Sequence, residues 1–600
     1  MWTLVLALLV SMTLVTADAS SPRAETFIRV VQDQGIWWFQ DGDGRRFFSL
    51  GVNCVGGCFG HAEDAPLTPS RKAWMVSLLQ AWGFNTAGAW SSPSVWDALD
   101  VTDRIYAPFA PTADDVFDEA FWGGRMADRV TQEVQPFLGR KRFIGYFLDN
   151  EPGWPAPEIF DFYVSLAKET PGSQALIAYL KAYYHGRIEQ LNRDWGTVYT
   201  SFEQLPGARP PHPYPLSMRH GLVQAWRIEV ASTYYRRYAA MVRALDPDHL
   251  VLGIRYQGVP DEALFTALSP YFDVNSINDY TRYGQLNPQL AALYRATGKP
   301  ILLTEFSFSG FPEPGHASAL FVDVYSQANR GLGYRKYVRQ AAQAPFMVGM
   351  HWFMWRDYGP ADQSLGGHRP DQNVGLVSSD ETTVYQELGA WITRTHAEVE
   401  ALHRAARWDA PPVRTPVRLP LQAFQPRVDG DLTEWPRALS LRPAVSRALV
   451  DGVQADHTYF LAWQAEAICL AGDIADSRLE HPPGSGAQGD YLRLQLRPVT
   501  PPAAGAAGMS SFVLYPIGGG SDGQQPYATR GDGSEGRQQI PLPIATRRRP
   551  GGYTLEACIP AAAIEGFQGI AGAAWHVTLV YQNVHEISLS RWDGVATLHP

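Results

Sequence analysis

No run of Lys or Arg in this chain exceeds the "RRR" at Arg547–Arg549, and the formal net charge is −10. A nucleic-acid partner requires a basic face, so none is expected. Beyond the N-terminus no segment is long and apolar enough to span a membrane, which takes about 20 consecutive apolar residues. Low-complexity tracts are also missing. With 45% hydrophobic and 18% charged residues the balance is that of a globular protein. Only four cysteines occur. Cys54 and Cys58 in "NCVGGCFG" supply too few ligands for a zinc site, and no His pair stands near them at metal spacing.

The N-terminus has no Lys or Arg before its apolar run, only the α-amino group. Otherwise it reads as a secretory leader: Leu4–Val15 is apolar and Ala17-Asp18-Ala19 is a small-x-small cleavage pattern. Residues 1–19 are therefore expected to be a signal peptide, and the mature protein to be secreted or periplasmic, without a membrane anchor. No cysteine near the cleavage point suggests a lipoprotein. Export permits disulfides, and one pair per domain, Cys54 with Cys58 and Cys469 with Cys558, is the natural arrangement. The second pair requires that the two strands carrying it be neighbours.

What the chain has in abundance is aromatic side chains: 19 Trp, 27 Tyr and 27 Phe. Such residues build cores, and their flat faces also stack on sugar rings. At 600 residues the chain exceeds one ordinary core, so two or more domains are expected. From residue 24 to 408, apolar runs alternate with helical stretches. An opening hairpin turns at "DGDG". Eight runs follow, at 47–53, 84–90, 104–110, 143–149, 250–256, 272–278, 300–306 and 346–353. Between them, "SRKAWMVSLLQAWG" starts on Ser70 as cap and stops at Gly83. Leu222, Trp226, Val230, Tyr234 and Tyr238 form one helical stripe that ends before Pro247. This alternation predicts a (β/α)8 TIM barrel, with its longest insertion between the fourth and fifth strands. Residues 409–423, "DAPPVRTPVRLPLQA", read as a proline-rich linker. Residues 424–600 read as an all-β antiparallel sandwich.

The stretch "FIGYFLDNEPGW" ends an apolar strand on Asp149, Asn150 and Glu151. In a barrel of this type the chemistry sits at the C-terminal ends of the strands. Glu151 follows the fourth strand and Glu305, in "ILLTEFSFSG", ends the seventh. Two carboxylates on opposite sides of one rim are what glycosidic cleavage requires: one protonates the leaving oxygen and the other attacks the anomeric carbon. An amide at Asn150 is placed to hydrogen-bond the sugar 2-hydroxyl.

Four stretches, "GYFLDNEPGW", "FDVNSINDY", "TEFSFSG" with the following "YSQANRGLGYRKYVRQAAQAPFMVGMHWFMWRD", and "QNVGLVSSD", resemble the retaining (β/α)8 glycoside hydrolases, most closely the exo-β-agarases and more distantly the family 42 β-galactosidases. The resemblance implies Glu151 as acid/base and Glu305 as nucleophile. It implies Asn150 as the amide before the acid, and Asn278 and Tyr280 as the strand-six pair near the nucleophile. Arg255 matches a basic strand-five residue, and Trp352 with His351 the floor of the first sugar subsite. His61 and His316 are expected to be surface loop residues. The agarases often carry a β domain ahead of the barrel, whereas here a sandwich follows it.

The C-terminal part resembles the family 9 carbohydrate-binding modules through "RVDGDLTEWPRA", "GDYLRLQLRP", "YTLEACIP" and "WHVTLVYQNV". Trp575 and Trp592 are either stacking platforms or core residues. Asp429, Asp473 and Asp476 are either calcium ligands or turn formers. No organic cofactor is expected and no metal in the catalytic part. The expectation is an exported retaining β-glycosidase acting on β-linked, agarose-like galactans. The alternatives are an exo-β-galactosidase on small oligosaccharides and a carbohydrate-binding surface protein without catalysis.

Overall fold

The computed structural model describes residues 27–58, 66–205, 207, 218, 221–281, 283–310, 324, 326–358 and 373–407, and beyond them 417–441, 445–448, 457–476, 491–498, 510–516, 527–530, 538–564, 574–583 and 588–599. The expected leader, His61, His316 and the first part of the expected linker lie outside the described residues.

The chain enters through a three-stranded antiparallel meander, β1 (Arg29–Asp33), β2 (Ile36–Gln40) and β3 (Arg46–Phe47). The "DGDG" turn links β2 to β3, with Asp41 Oδ1 accepting from the amides of Asp43 and Arg45. A further two-residue turn at Gln34-Gly35, with φ of 49° and 84°, links β1 to β2.

Nine parallel strands make the main sheet: β4 (Ser49–Val52), β5 (Thr86–Ala87), β6 (Asp100–Ile105), β7 (Phe143–Leu148), β8 (Leu250–Val251), β9 (Tyr256–Gln257), β10 (Asn275–Asn278), β11 (Ile301–Phe306) and β12 (Met347–Trp352). Their order is β8-β7-β6-β5-β4-β12-β11-β10-β9. The path begins and ends on one piece of chain, because β8 and β9 are successive parts of the run read as the fifth strand. Gly253 (φ 85°) and Arg255 (φ 52°) interrupt it. β7 stays bonded across the interruption, through Leu148 N–H to Gly253 O at 2.8 Å and Leu252 N–H to Tyr146 O at 2.7 Å. The third strand, expected at 104–110, lies at Asp100–Ile105.

Side-chain alternation divides the sheet into two apolar layers. Leu50, Val52, Ile105, Leu148, Met350 and Trp352 pack with helix residues such as Leu79, Trp226 and Ile392. On the other face Ile144, Phe147, Leu252, Val274, Leu302 and Val348 form a smaller cluster with Trp90 and Phe353. The helix Pro69–Ala81 is capped by Thr68, whose hydroxyl accepts from Arg71 N–H, rather than by Ser70. Helices Ala156–Ser165, Pro171–Tyr183, Ile188–Trp195 and Leu222–Leu245 fill the segment between β7 and β8.

The C-terminal part holds two further sheets. One has the order Val417–Gln422, Ser588–His599, Ala574–Asn583, Tyr491–Pro498, Ser510–Tyr515, Tyr527–Arg530 and Gln538–Ile540, with Val445–Ala448 also paired to Ser588–His599. The other runs Ser440–Leu441, Thr458–Gln464, Ala467–Ile474, Gly552–Pro560 and Ile544–Arg549. Val417–Gln422 falls in the expected linker but is a strand, parallel to Ser588–His599. Cys469 and Cys558 face each other on paired strands and are bonded, as are Cys54 and Cys58. The "RVDGDLTEW" loop is pinned by buried Glu556, which accepts from the amides of Asp429 (3.1 Å) and Gly430 (2.6 Å) and from Trp435 Nε1. Trp575 belongs to the sandwich core, 4% exposed. The side chain of Trp592 lies outside the described residues.

Candidate active site

β7 ends in a turn that sends the Asp149 side chain one way and those of Asn150 and Glu151 together toward Asn278. Asp149 (φ 80°) and Glu151 (φ 50°) both take left-handed backbone, a conformation costly for residues with a Cβ and held only by surrounding contacts. Asp149 N–H donates to Ile105 O, and Glu151 N–H to Arg255 O. The Asp149 carboxylate turns back toward the helix Leu222–Leu245, accepting from the Tyr234 and Tyr235 hydroxyls at 3.3 Å each and from Ala107 N–H at 3.4 Å. Burial without a cationic partner pushes its pKa up to about 7.

Glu305 sits at an irregularity in β11. Against β12, Leu303 pairs with Met350 and Phe306 with Trp352, so three steps on β11 oppose two on its neighbour. The extra residue is a β-bulge, which re-aims side chains. The Thr304 hydroxyl donates to Asn278 Oδ1 at 2.7 Å, and Glu305 receives a guanidinium nitrogen of Arg255 on one oxygen and the Tyr280 hydroxyl on the other at 2.8 Å. Burial raises the Glu305 pKa and the Glu151 charge adds to this, while Arg255 and Tyr280 oppose it.

The other expected residues join these two carboxylates into one network. Asn278 Nδ2 donates to Glu151 Oε1 at 2.8 Å, and Arg255 Nε to Asn150 Oδ1 at 2.6 Å. Arg255 is fully buried, its guanidinium 4.7 Å from the ring centre of Trp90 and 5.0 Å from that of Phe147. Its Nη1 is buried and has no hydrogen-bond partner among the described residues. The arrangement therefore gathers Asn150, Glu151, Arg255, Asn278, Tyr280 and Glu305. Among the described residues one carboxylate is held by a cation and a phenol, the other by an amide.

Two expected residues take other places. Trp352 is fully buried on the helix side of the sheet, its indole N–H donating to Val374 O at 3.0 Å and its ring packed against Phe306 and Tyr334. It offers no face to a sugar, because alternation along β12 puts it with Met350 rather than with His351. His351 points the other way but is also buried, with Nε2 2.9 Å from Ser49 Oγ. Burial and the nearby Arg255 charge lower its pKa to about 3, so it is neutral at any ordinary pH. The next residue, Phe353, shares an apolar cluster with Trp90 at a ring separation of 6.3 Å. Counting alternation from Glu305 and Gly51 would have selected Phe353, and the strand-end rule applied to "FNTAGAW" would have selected Trp90. Asn53 is a further residue that the sequence pattern does not single out. Its Nδ2 donates to Thr304 O and Trp352 O and so braces the bulge.

Among the described residues no three His, Cys, Asp or Glu side chains gather as metal ligands. In the sandwich Asp473 pairs with Arg549, Asp476 accepts from the Tyr581 hydroxyl, and Asp429 caps the amide of Asp431. No described helix is long and apolar enough to cross a membrane.

No family model matches the sequence. Beta-agarase B of Vibrio sp. (strain JT0107) is 28% identical over 379 residues, which covers 56% of this chain and 37% of that protein. Beta-agarase A of the same organism is 25% identical over 346 residues, covering 51% and 34%. The chain thus spans little more than a third of the length of these curated relatives. Among solved structures, the crystal structure of an agarase matches with a TM-score of 0.54 at 21% identity, covering 64% of this chain and 66% of that one. The structure of an exo-beta-agarase matches with the same TM-score at 20% identity, over 63% and 66%. At these identities the structural likeness is one of fold, and what the chain shares with the agarases is an α/β unit built on a parallel sheet.

Proposed function

We propose that this protein is an exported glycoside hydrolase that cleaves a β-linked, galactose-containing chain, agarose-like first, with retention of anomeric configuration. The observation that carries this reading is the network joining Glu151 and Glu305 at the C-terminal ends of two parallel strands. The similarity to the two Vibrio agarases supports the substrate class. In this reading the parallel sheet is an eight-stranded barrel closed through residues 250–257, and the active site lies at its C-terminal rim.

Glu305 attacks the anomeric carbon while Glu151 gives its proton to the departing oxygen, leaving a glycosyl ester on Glu305. Water then attacks the same carbon, Glu151 takes its proton, and the ester bond breaks to regenerate Glu305. Arg255 and Tyr280 keep the Glu305 carboxylate oriented and ionised against the effect of burial. Asn150 holds the 2-hydroxyl of the ring being cleaved. The site needs no organic cofactor and no metal. The sandwich is a carbohydrate-binding module that keeps the enzyme on its polymer, with Trp575 excluded as a platform because it is core.

The test is a product profile on β-galactans and β-glucans, with proton NMR of the first-formed anomer. Retaining enzymes hold their carboxyl groups about 5–5.5 Å apart and release the β anomer first. An α anomer at early times overturns the mechanism. Turnover of aryl β-galactosides without any on agarose moves the substrate to small β-galactosides.

A further inference from the structure

A row of stacked groups leads away from the carboxylate pair. The Arg255 guanidinium, bonded to Glu305, lies 4.7 Å from the ring of Trp90. On Trp90 sits a second guanidinium, Arg104, at 5.6 Å, and Arg104 also lies 4.9 Å from the ring of Tyr106. Buried Asp103 fixes the row, accepting from Trp90 N–H at 3.2 Å and Arg104 N–H at 2.8 Å. Trp90 is 8% exposed, whereas Tyr106 is 36% exposed and, among the described residues, is one of the few large apolar side chains that reach solvent. Tyr106 forms one wall of an open cavity of about 570 Å³, lined also by Pro108, Arg125, Asp128, Arg129 and Gln132. Arg129 Nε donates to Tyr106 O at 3.2 Å and so ties the opposite wall to the tyrosine's own backbone.

We propose that this cavity is a distal subsite for an uncharged sugar ring of the polymer chain, with Tyr106 as its stacking platform. The inference rests on the hydrolase reading above. Its volume falls in the range of small-ligand sites, and its lining combines a partly exposed aromatic ring with planar polar groups that can pair with adjacent hydroxyls. Both charge signs are present, and each arginine is compensated: Arg125 pairs with Asp114 at 3.0 Å and Arg129 with Glu133 at 2.6 Å. That balance selects a neutral ring over a sulfated one. Binding at a ring remote from the cleaved bond supplies energy that the reacting centre uses, so a chain that fills the cavity is turned over more efficiently than a short one.

The experiment compares kcat/KM on an agarose hexasaccharide with kcat/KM on an aryl β-galactoside, which carries a single sugar ring. In Tyr106→Ala the hexasaccharide-to-aryl ratio should fall about tenfold, the scale of one lost ring contact. Tyr106→Phe, which keeps the ring, should hold the ratio within about twofold, and Arg129→Ala should lower it. General damage to the fold reduces both substrates together and leaves the ratio unchanged, and that result overturns the subsite. Calorimetry of the hexasaccharide with Glu305→Gln enzyme, with and without Tyr106→Ala, reads the same contact without catalysis. Affinity that falls about tenfold supports the subsite even if no substrate is cleaved, in which case the hydrolase reading alone fails. Equal affinity overturns the subsite whether or not the enzyme cleaves.

Discussion

Glu151 and Glu305 are one residue type in two surroundings, and the roles proposed for them rest on that difference. Glu305 faces a guanidinium and a phenol, Glu151 an amide. Glu151→Ala should lose roughly 10²–10⁴ in turnover of unactivated substrates, the usual contribution of a general acid. On aryl glycosides with good leaving groups its first step should be largely rescued. Glu305→Ala should fail on both kinds of substrate, because no leaving group replaces a nucleophile. Burst kinetics with circular dichroism as a fold control reads this, and equal losses on activated substrates would reverse the assignment. Asp149, two residues before Glu151, offers a pH test. Burial lifts its carboxyl to about 7, so the folded protein keeps a proton that the unfolded chain, titrating near 4, releases. Stability from this group is therefore full below pH 4 and is lost as pH rises through 7, by at most about 4 kcal/mol in total. Asp149→Asn carries no such proton. The melting temperature of wild type minus that of the variant should decline between pH 4 and 7 and level off above. A difference that stays constant across that interval would show that Asp149 titrates normally in the fold.

At the level of elements, most strand ends could be read from the sequence because an apolar run that stops on polar residues marks where a buried strand meets a rim. That rule located Glu151 and Glu305. It missed the true third strand, because "DVTDRI" has four polar residues among six and carries Thr102 and Arg104 on the face that Phe147 shares. Local pattern fails where inward positions serve a site rather than a core. Trp352 turns to the face opposite the expected one for a related reason. Its position at the strand end is as expected, but alternation decides which way the ring points, and an indole beside a histidine draws attention that a plain phenylalanine at 353 does not. The break in the fifth run is likewise invisible in "LVLGIRY", since one glycine there shows that a bend is permitted without showing that it occurs. The β7–β8 contact can be tested directly. A Cβ on Gly145 would meet the Leu250 carbonyl oxygen at 2.1 Å, and backbone on both sides cannot step aside as a flexible side chain would. Gly145→Ala should cost about 1–3 kcal/mol or more and lower turnover, since β7 carries the turn with Asn150 and Glu151. An unchanged melting temperature would mean that the two strands do not approach as described.

On the scale of the whole molecule, the chain holds two sets of cores. Among the described residues every hydrophobic cluster draws either on residues up to Ala406 or on residues from Phe424 onward, and none on both. Each set has its own disulfide. The end of the first unit is tied down before the boundary: His403 on the helix Gln386–Arg404 lies 2.8 Å from Trp37 O through Nε2 and 2.7 Å from Ala342 O through Nδ1. The start of the second unit is equally definite, because Val417–Gln422 pairs with the last strand of the chain. A cut after Thr415 therefore removes a strand together with its partner and leaves no sheet edge newly opened in the first unit. Units whose cores are separate fold independently. Protein ending at Thr415 should be soluble, melt in one cooperative transition, and keep the full-length kcat/KM on soluble oligosaccharides to within about twofold, while its retention on insoluble agarose falls. Sedimentation with polymer, calorimetry and soluble-substrate kinetics read the three outcomes separately. Aggregation of the shortened chain, or loss of its activity on soluble substrate, would show that the sandwich supplies part of the first unit's core and is no detachable module.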